Sequence, residues 1–306
     1  MDESDRTASL MSPARLAQMK PKPATTPAAW LTQMAADAGH MHVKRIGELG
    51  ELLLASARLQ GLAGFVNRLE QFAGDLSDLD FSLLEPRGWW ARTSGKSRTS
   101  GAEFAARFAE VDTTALAVAV AAKALGAQQR AELAQVEGAL VELDVEYRAV
   151  EKIIDQGARW LQDMRNQIKV RQAAASDPQA HRAVLEDSAR CDILVDRLKL
   201  LRVLCNLCAP VAEQARSNVH RRGALLQTLQ QSFASEIDDW HGMLSAVASA
   251  AAEGKSPAGS IQLPLDMHND LRKGVKAATA ACEQMLAQEQ ELIRALTTLN
   301  TPQLPV

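Results

Sequence analysis

The sequence predicts an all-α protein: an elongated antiparallel bundle of long helices with coiled-coil packing. Three observations predict it. A seam of apolar side chains spaced alternately three and four apart runs through most of the chain. It is clearest in Leu133, Val136, Leu140, Leu143, Tyr147, Val150, Ile154, Leu161, Met164 and Ile168, with only Gly157 interrupting. Such spacing draws one stripe down a helix and demands partner helices along its length. Aromatic residues make up only 4% of the 306 residues, so the core must be filled by Leu, Val, Ile, Met and Ala, which suits close helix packing. No segment reads as a β-strand, which removes the nucleotide-binding α/β folds from consideration.

The elements follow in order. Residues 1–27 carry Pro13, Pro21, Pro23 and Pro27 among small and polar residues, and are expected to stay extended and mobile. An N-terminal helical region over 28–84 is expected to start near Pro27 to Trp30, because proline is well tolerated in a first helical turn. It carries a first helix pair, with Ile46, Leu49 and Leu53, then Leu62, Phe65, Leu69, Phe72 and Leu76. Gly61 and Gly64 weaken the join. Residues 85–101 (EPRGWWARTSGKSRTSG) break the periodicity and read as a basic, tryptophan-containing loop.

A long-helix bundle is expected over 102–300. The stripe resumes at Phe104 and runs through Phe108, Val111, Ala115, Val118, Ala122 and Leu125. It restarts at Leu133, one residue out of phase, so a stutter or hinge is expected at Gly126. After Ser176, Asp177 and Pro178 a second long stripe begins, carrying Leu194, Leu198, Leu201, Cys205, Cys208, Ala212, Ala215 and Val219. It continues through Leu226, Leu229, Phe233, Trp240, Met243 and Val247, with Arg222 and Glu236 as polar intrusions. Pro210 lacks a backbone donor and predicts a kink. Residues 254–264 read as a second loop. A final helix carries Leu271, Val275, Ala278, Cys282, Met285, Leu292, Leu296 and Leu299, before a short tail over 301–306.

Composition narrows the function classes. Formal net charge is -3 and the pI about 6.1, so nucleic acid is not expected as a partner. The acidic, polar start (Met1, Asp2, Glu3) does not resemble a signal peptide, and the longest apolar run, Ala115 to Ala122, is far short of the ~20 residues of a membrane-spanning helix. Cys191, Cys205, Cys208 and Cys282 are too sparse for a disulfide framework. A cytoplasmic protein is the expectation.

Chemistry-bearing motifs are thin. Cys205 and Cys208 form one C-x-x-C, whereas a zinc site needs four ligands, and both fall on seam positions that suit small apolar side chains. Core packing is the expected role, redox or metal chemistry the alternative. Glu236, Asp238, Asp239 and His241 crowd a turn and a half of helix, but a di-metal bundle needs a second such set, and a solvated charged face is expected. His40 and His42 stand two apart and point to different sides of a helix. No G-x-S-x-G turn and no phosphate-binding glycine loop occurs. No catalytic residue, metal or cofactor is therefore assigned.

The basic loop is the most unusual local feature. Arg87, Arg92, Lys96 and Arg98 surround Trp89 and Trp90, with no acidic residue between Glu85 and Glu103. Tryptophan and arginine are favoured anchors at protein interfaces and membrane surfaces, so these six residues are the candidate docking site. The alternative is that both indoles fold back and cap the bundle. Four cations add only about 1 kcal/mol each at an anionic surface, so membrane contact would be weak and reversible.

Around this loop the sequence resembles the toxic-anion (tellurite) resistance family of TelA-like proteins. The resemblance rests on the helix Ile46 to Leu53, the apolar turn Leu79 to Leu84, the basic aromatic hinge Gly88 to Arg92 with Lys96, and a helix opening on Phe104 and Phe108. At the other end it rests on Gly274 to Ala280 and Ala295 to Asn300, so that it spans roughly Val43 to Asn300. This chain is comparatively short, lacks the tyrosine that follows the Phe108 segment in the family, and reduces a threonine-rich run to Thr279. The resemblance implies an all-helical cytosolic stress protein linked to tellurite resistance, with no catalytic residues to carry over. The leading expectation is an interaction scaffold that supports resistance to toxic anions such as tellurite, or to envelope stress, by binding other proteins. Its localisation would be cytoplasmic, with some peripheral contact at the inner membrane face. The alternative is a structural coiled-coil adaptor for secretion or plasmid maintenance. An oxyanion-reducing enzyme using Cys205 and Cys208 is a third.

Overall fold

The computed structural model describes residues 38–58, 61–84, 96–255 and 261–300. Among them no strand occurs, and the protein is an all-α helical bundle. The described residues form six α-helices: α1 (His40–Arg58), α2 (Leu62–Ser77), α3 (Lys96–Ala174), α4 (Pro178–Thr228), α5 (Ala234–Ala252) and α6 (Gln262–Asn300). A 3-10 turn, Phe81–Leu84, follows α2, and a π-helical turn, Leu229–Phe233, joins α4 to α5. The expected segments 1–27 and 301–306 and the expected helix start near Pro27 lie outside the described residues.

Several boundaries have local causes. Asp177 caps α4, its carboxylate accepting from the Ala180 N–H at 2.7 Å, with Pro178 in the first turn, where its missing N–H costs nothing. Gly254 ends α5 at a φ of 72°, and its N–H bonds the Ala251 carbonyl while the Lys255 N–H bonds that of Ala250. This is a Schellman closure, which favours glycine because its φ is positive. The second loop is shorter than the sequence suggests, since α6 already begins at Gln262 and takes Pro264 into its first turn. The end of the expected basic loop is also corrected: residues 96–101 belong to α3, where a loop through Gly101 was expected. Glycine and serine are poor helix formers, and the sequence offers no apolar stripe there. Tertiary packing overrides that weak propensity, because Ser100 and Gly101 are buried, with Gly101 against the backbone of Ala251.

Contacts divide the chain into two compact units. The first holds residues 1–56, 135–216 and 292–306. Within it the ion pairs Asp144–Arg216, Asp155–Arg202, Arg165–Asp192 and Arg171–Asp187 link α3 to α4, one partner's number falling as the other rises. The two helices are therefore antiparallel. Helix α1 runs antiparallel to α3 as well, through His42–Glu146 and Arg45–Glu142. Ile46, Leu49 and Leu53 of α1, Leu140, Leu143, Val150 and Ile154 of α3, and Leu194, Leu198 and Leu201 of α4 are all buried, as the seam predicts. Gly157 lies on that seam because Leu198 fills its place: an added Cβ would stand 2.8 Å from a Leu198 methyl.

The second unit holds residues 57–134 and 217–291. Its core gathers most of the aromatic residues. Trp240 is fully buried, edge-on to Phe72 at 6.4 Å and tilted against Phe108 at 5.4 Å. Every α2 position named above, and the α3 stripe from Phe104 to Leu125, is buried here. Helices α5 and α6 are antiparallel, with Glu236 beside Gly274 and Trp240 beside His268.

Of two phase expectations, one is corrected. Helix α3 runs unbroken through Gly126, so the one-residue slip there lies inside a continuous helix. The glycine instead makes room for the Gln230 side chain, which crosses the helix there and donates to the Ala122 carbonyl at 3.1 Å. Beyond Phe233 the buried series is Ile237, Trp240, Leu244 and Val247, not Glu236 and Met243. The π turn inserts the extra residue that shifts the phase. Helix α4 is continuous through Pro210.

The stretch His40–Leu84 contains an 18-residue window apolar enough to cross a membrane by composition, and half of that window is buried in the protein. Core helices meet the same criterion.

Candidate functional site

Of the six candidate docking residues, Arg87, Trp89, Trp90 and Arg92 lie outside the described residues, and Lys96 and Arg98 occupy the opening turn of α3. The residues flanking the segment are well placed. Phe81, in the turn before it, meets Phe104 of α3 near edge-to-face at 5.5 Å, and Leu84 is buried.

The cysteines are packed away. Cys205 and Cys208 are 5% and 0% exposed on the inner face of α4. Burial pushes their thiols up to about 11 and about 12, so neither supplies a thiolate at neutral pH. Cys282 is equally buried, its thiol raised by desolvation to about 12.

The carboxylate and histidine group on α5 is spread out. Glu236, Asp238 and Asp239 are exposed, while His241 turns to α3 and pairs with Asp112 at 2.5 Å. His42 does likewise with Glu146 at 2.6 Å, whereas His40 is exposed. Among the described residues no group of three or more His, Cys, Asp or Glu side chains is arranged to hold a metal ion.

Two buried polar features escaped the sequence reading. Arg222 and Glu289 form a direct ion pair, both side chains almost wholly buried, and Asn218 donates to the Gln288 carbonyl beside it at 3.1 Å. Burial raises the Glu289 carboxyl while Arg222 pulls it down, and burial prevails. The signal existed: Arg222 intrudes on the α4 seam, and Glu289 fills the empty seam position between Met285 and Leu292 on α6. The second is His268, 2% exposed, whose Nδ1 accepts from the Trp240 indole N–H at 3.4 Å. Desolvation, helped by Arg272, lowers it to about 4, so it is neutral at physiological pH.

One groove opens on the second unit. Leu263, Met267 and Leu271 of α6 floor it, and Glu236 and Asp239 of α5 face Asp266 and Asp270 of α6 across a volume of about 470 Å³. Such an arrangement suits cationic, partly apolar ligands.

No protein family, curated protein or solved structure matches the chain.

Proposed function

We propose that the chain is a TelA-like helical scaffold that supports resistance to toxic anions such as tellurite, or to envelope stress, through protein interactions. The observation that carries this reading is the packing on either side of the basic tryptophan segment. Phe81 and Phe104 meet there, so the described residues before and after 85–95 belong to one hydrophobic core. A short segment rich in Trp and Arg has the composition of an interface anchor. Arg87, Trp89, Trp90, Arg92, Lys96 and Arg98 would then bind a partner protein, with weak peripheral contact to the inner membrane face. Ile46, Leu79, Phe104 and Phe108, four of the apolar residues in the family resemblance, are core positions. They would act by holding this frame.

Catalysis has no part in the reading. The thiols that an oxyanion-reducing enzyme would use are buried and protonated. The experiment is growth of a tellurite-sensitive host with and without the protein, joined to a pull-down and mass spectrometry from the same cells. Protection together with a specific partner supports the scaffold. A partner without protection would leave the structural adaptor, with no role in anion resistance, as the correct reading.

A further inference from the structure

We infer that the groove between α5 and α6 is a docking surface for a segment of a partner protein in which a large apolar side chain is flanked by lysines or arginines. The surface lies within one unit, and none of its lining residues belongs to the basic tryptophan segment. It requires no role in anion resistance, so its failure and that of the scaffold reading are distinguishable.

Charge and floor together select the occupant. Carboxylates stand on both walls, Glu236 and Asp239 on one and Asp266 and Asp270 on the other. Asp270 is neutralised by Lys273 at 2.9 Å, and Asp266 accepts from the uncharged Gln262 amide at 2.7 Å. No ion pair ties Glu236 or Asp239 to a described cationic side chain. The groove therefore faces solvent with a surplus of negative charge that an incoming cation relieves. The floor is apolar, and Leu263 remains 58% exposed at its mouth. A bare metal ion or an inorganic cation would use the carboxylates and leave that floor wet. A segment with one bulky apolar side chain covers it, and about 470 Å³ lies within the usual range of such pockets.

The groove is also held in shape without its ligand. Behind it, Trp240 joins His268 and packs edge-on to Phe72, which fixes α5 on α6. Gly274 lets the Glu236 carboxylate lie against α6: an added Cβ would meet its Oε2 at 2.5 Å. Such preformed surfaces bind with little backbone movement.

The test is fluorescence anisotropy of a labelled amphipathic peptide of leucines and lysines titrated with the full-length protein, at low and moderate salt. The triple variant E236Q/D239N/D266N, which leaves the Asp270–Lys273 pair intact, should weaken binding about tenfold at low salt and flatten its salt dependence. L263S should weaken binding at both salt levels. A control, E137Q/E151Q/E291Q, removes the same charge from exposed positions elsewhere and should bind as the wild type does. Melting curves verify that each variant is folded. Equal loss in the control would mean bulk electrostatics alone, and an unaffected L263S would mean a polycation site without an apolar subsite. Either result, or no binding by the wild type, overturns the inference.

Discussion

Replacing Gly101 by Ala should destabilise the protein, although helix propensity predicts the reverse. Gly101 lies in the second turn of α3. Alanine is normally preferred to glycine inside a helix by roughly 0.8–1.0 kcal/mol. Here, however, a Cβ would stand 2.8 Å from the carbonyl carbon of Ala251 and 3.3 Å from its Cα. Non-bonded carbons prefer about 3.5–4.0 Å. The obstacle is backbone in α5, which cannot turn aside as a side chain would, so the two helices must part locally. Overpacking of this kind costs about 1–3 kcal/mol, which exceeds the propensity gain and leaves a net loss of roughly 0–2 kcal/mol. Gly242 provides the internal comparison, because it lies on α5, the helix that Gly101 meets, and has nothing within 4 Å of an added Cβ. G242A should therefore stabilise by up to about 1 kcal/mol. Urea denaturation followed by helical circular dichroism measures both. If G101A gains as much stability as G242A, the close crossing of α3 and α5 is wrong.

Three further outcomes follow from the buried polar groups and thiols. His268 has a folded pKa of about 4 against an ordinary 6.5, so its contribution is complete above 6.5 and is lost as pH falls through 4. That difference is worth roughly 3 kcal/mol, and H268Q should flatten the fall in stability between these pH values; an unchanged slope would refute it. R222M alone strands the Glu289 carboxylate in the core and should cost about 3–5 kcal/mol, whereas R222M/E289L should recover most of that loss. A double variant no more stable than R222M in a urea titration would contradict the buried pair. C205A/C208A should cost on the order of 1 kcal/mol per residue or somewhat more. Native Cys205 and Cys208 should resist a thiol reagent until the protein unfolds, and fast labelling would show that they are not core residues.

The core was readable because burial on a helix repeats with a fixed period. Phe104 to Leu125, Leu194 to Ala215 and Leu271 to Leu299 carry that period, and their buried positions follow it closely. What stayed hidden was what periodicity does not encode. The π turn at Leu229–Phe233 changes the phase without a proline or glycine to mark it, so Ile237 and Leu244 replaced Glu236 and Met243 on the seam. Gly126 reads as a stutter or hinge along one helix, and its reason, the Gln230 side chain, lies about a hundred residues away. The acidic groove is likewise a product of pairing: Glu236 and Asp239 look like an ordinary solvated face until α6 brings Asp266 and Asp270 opposite them. The basic tryptophan segment was legible as a composition, but the loop reading fails at Lys96 and Arg98, which are helical.

The most direct measurement is made on one variant, W89A/W90A, with its melting temperature, its partner pull-down and its host's growth on tellurite recorded together. The account predicts a melting temperature close to the wild type, because interface anchors contribute little to folding, with loss of both partner and protection. A lowered melting temperature with full partner capture and full protection would contradict it, and would mean that the two indoles cap the bundle.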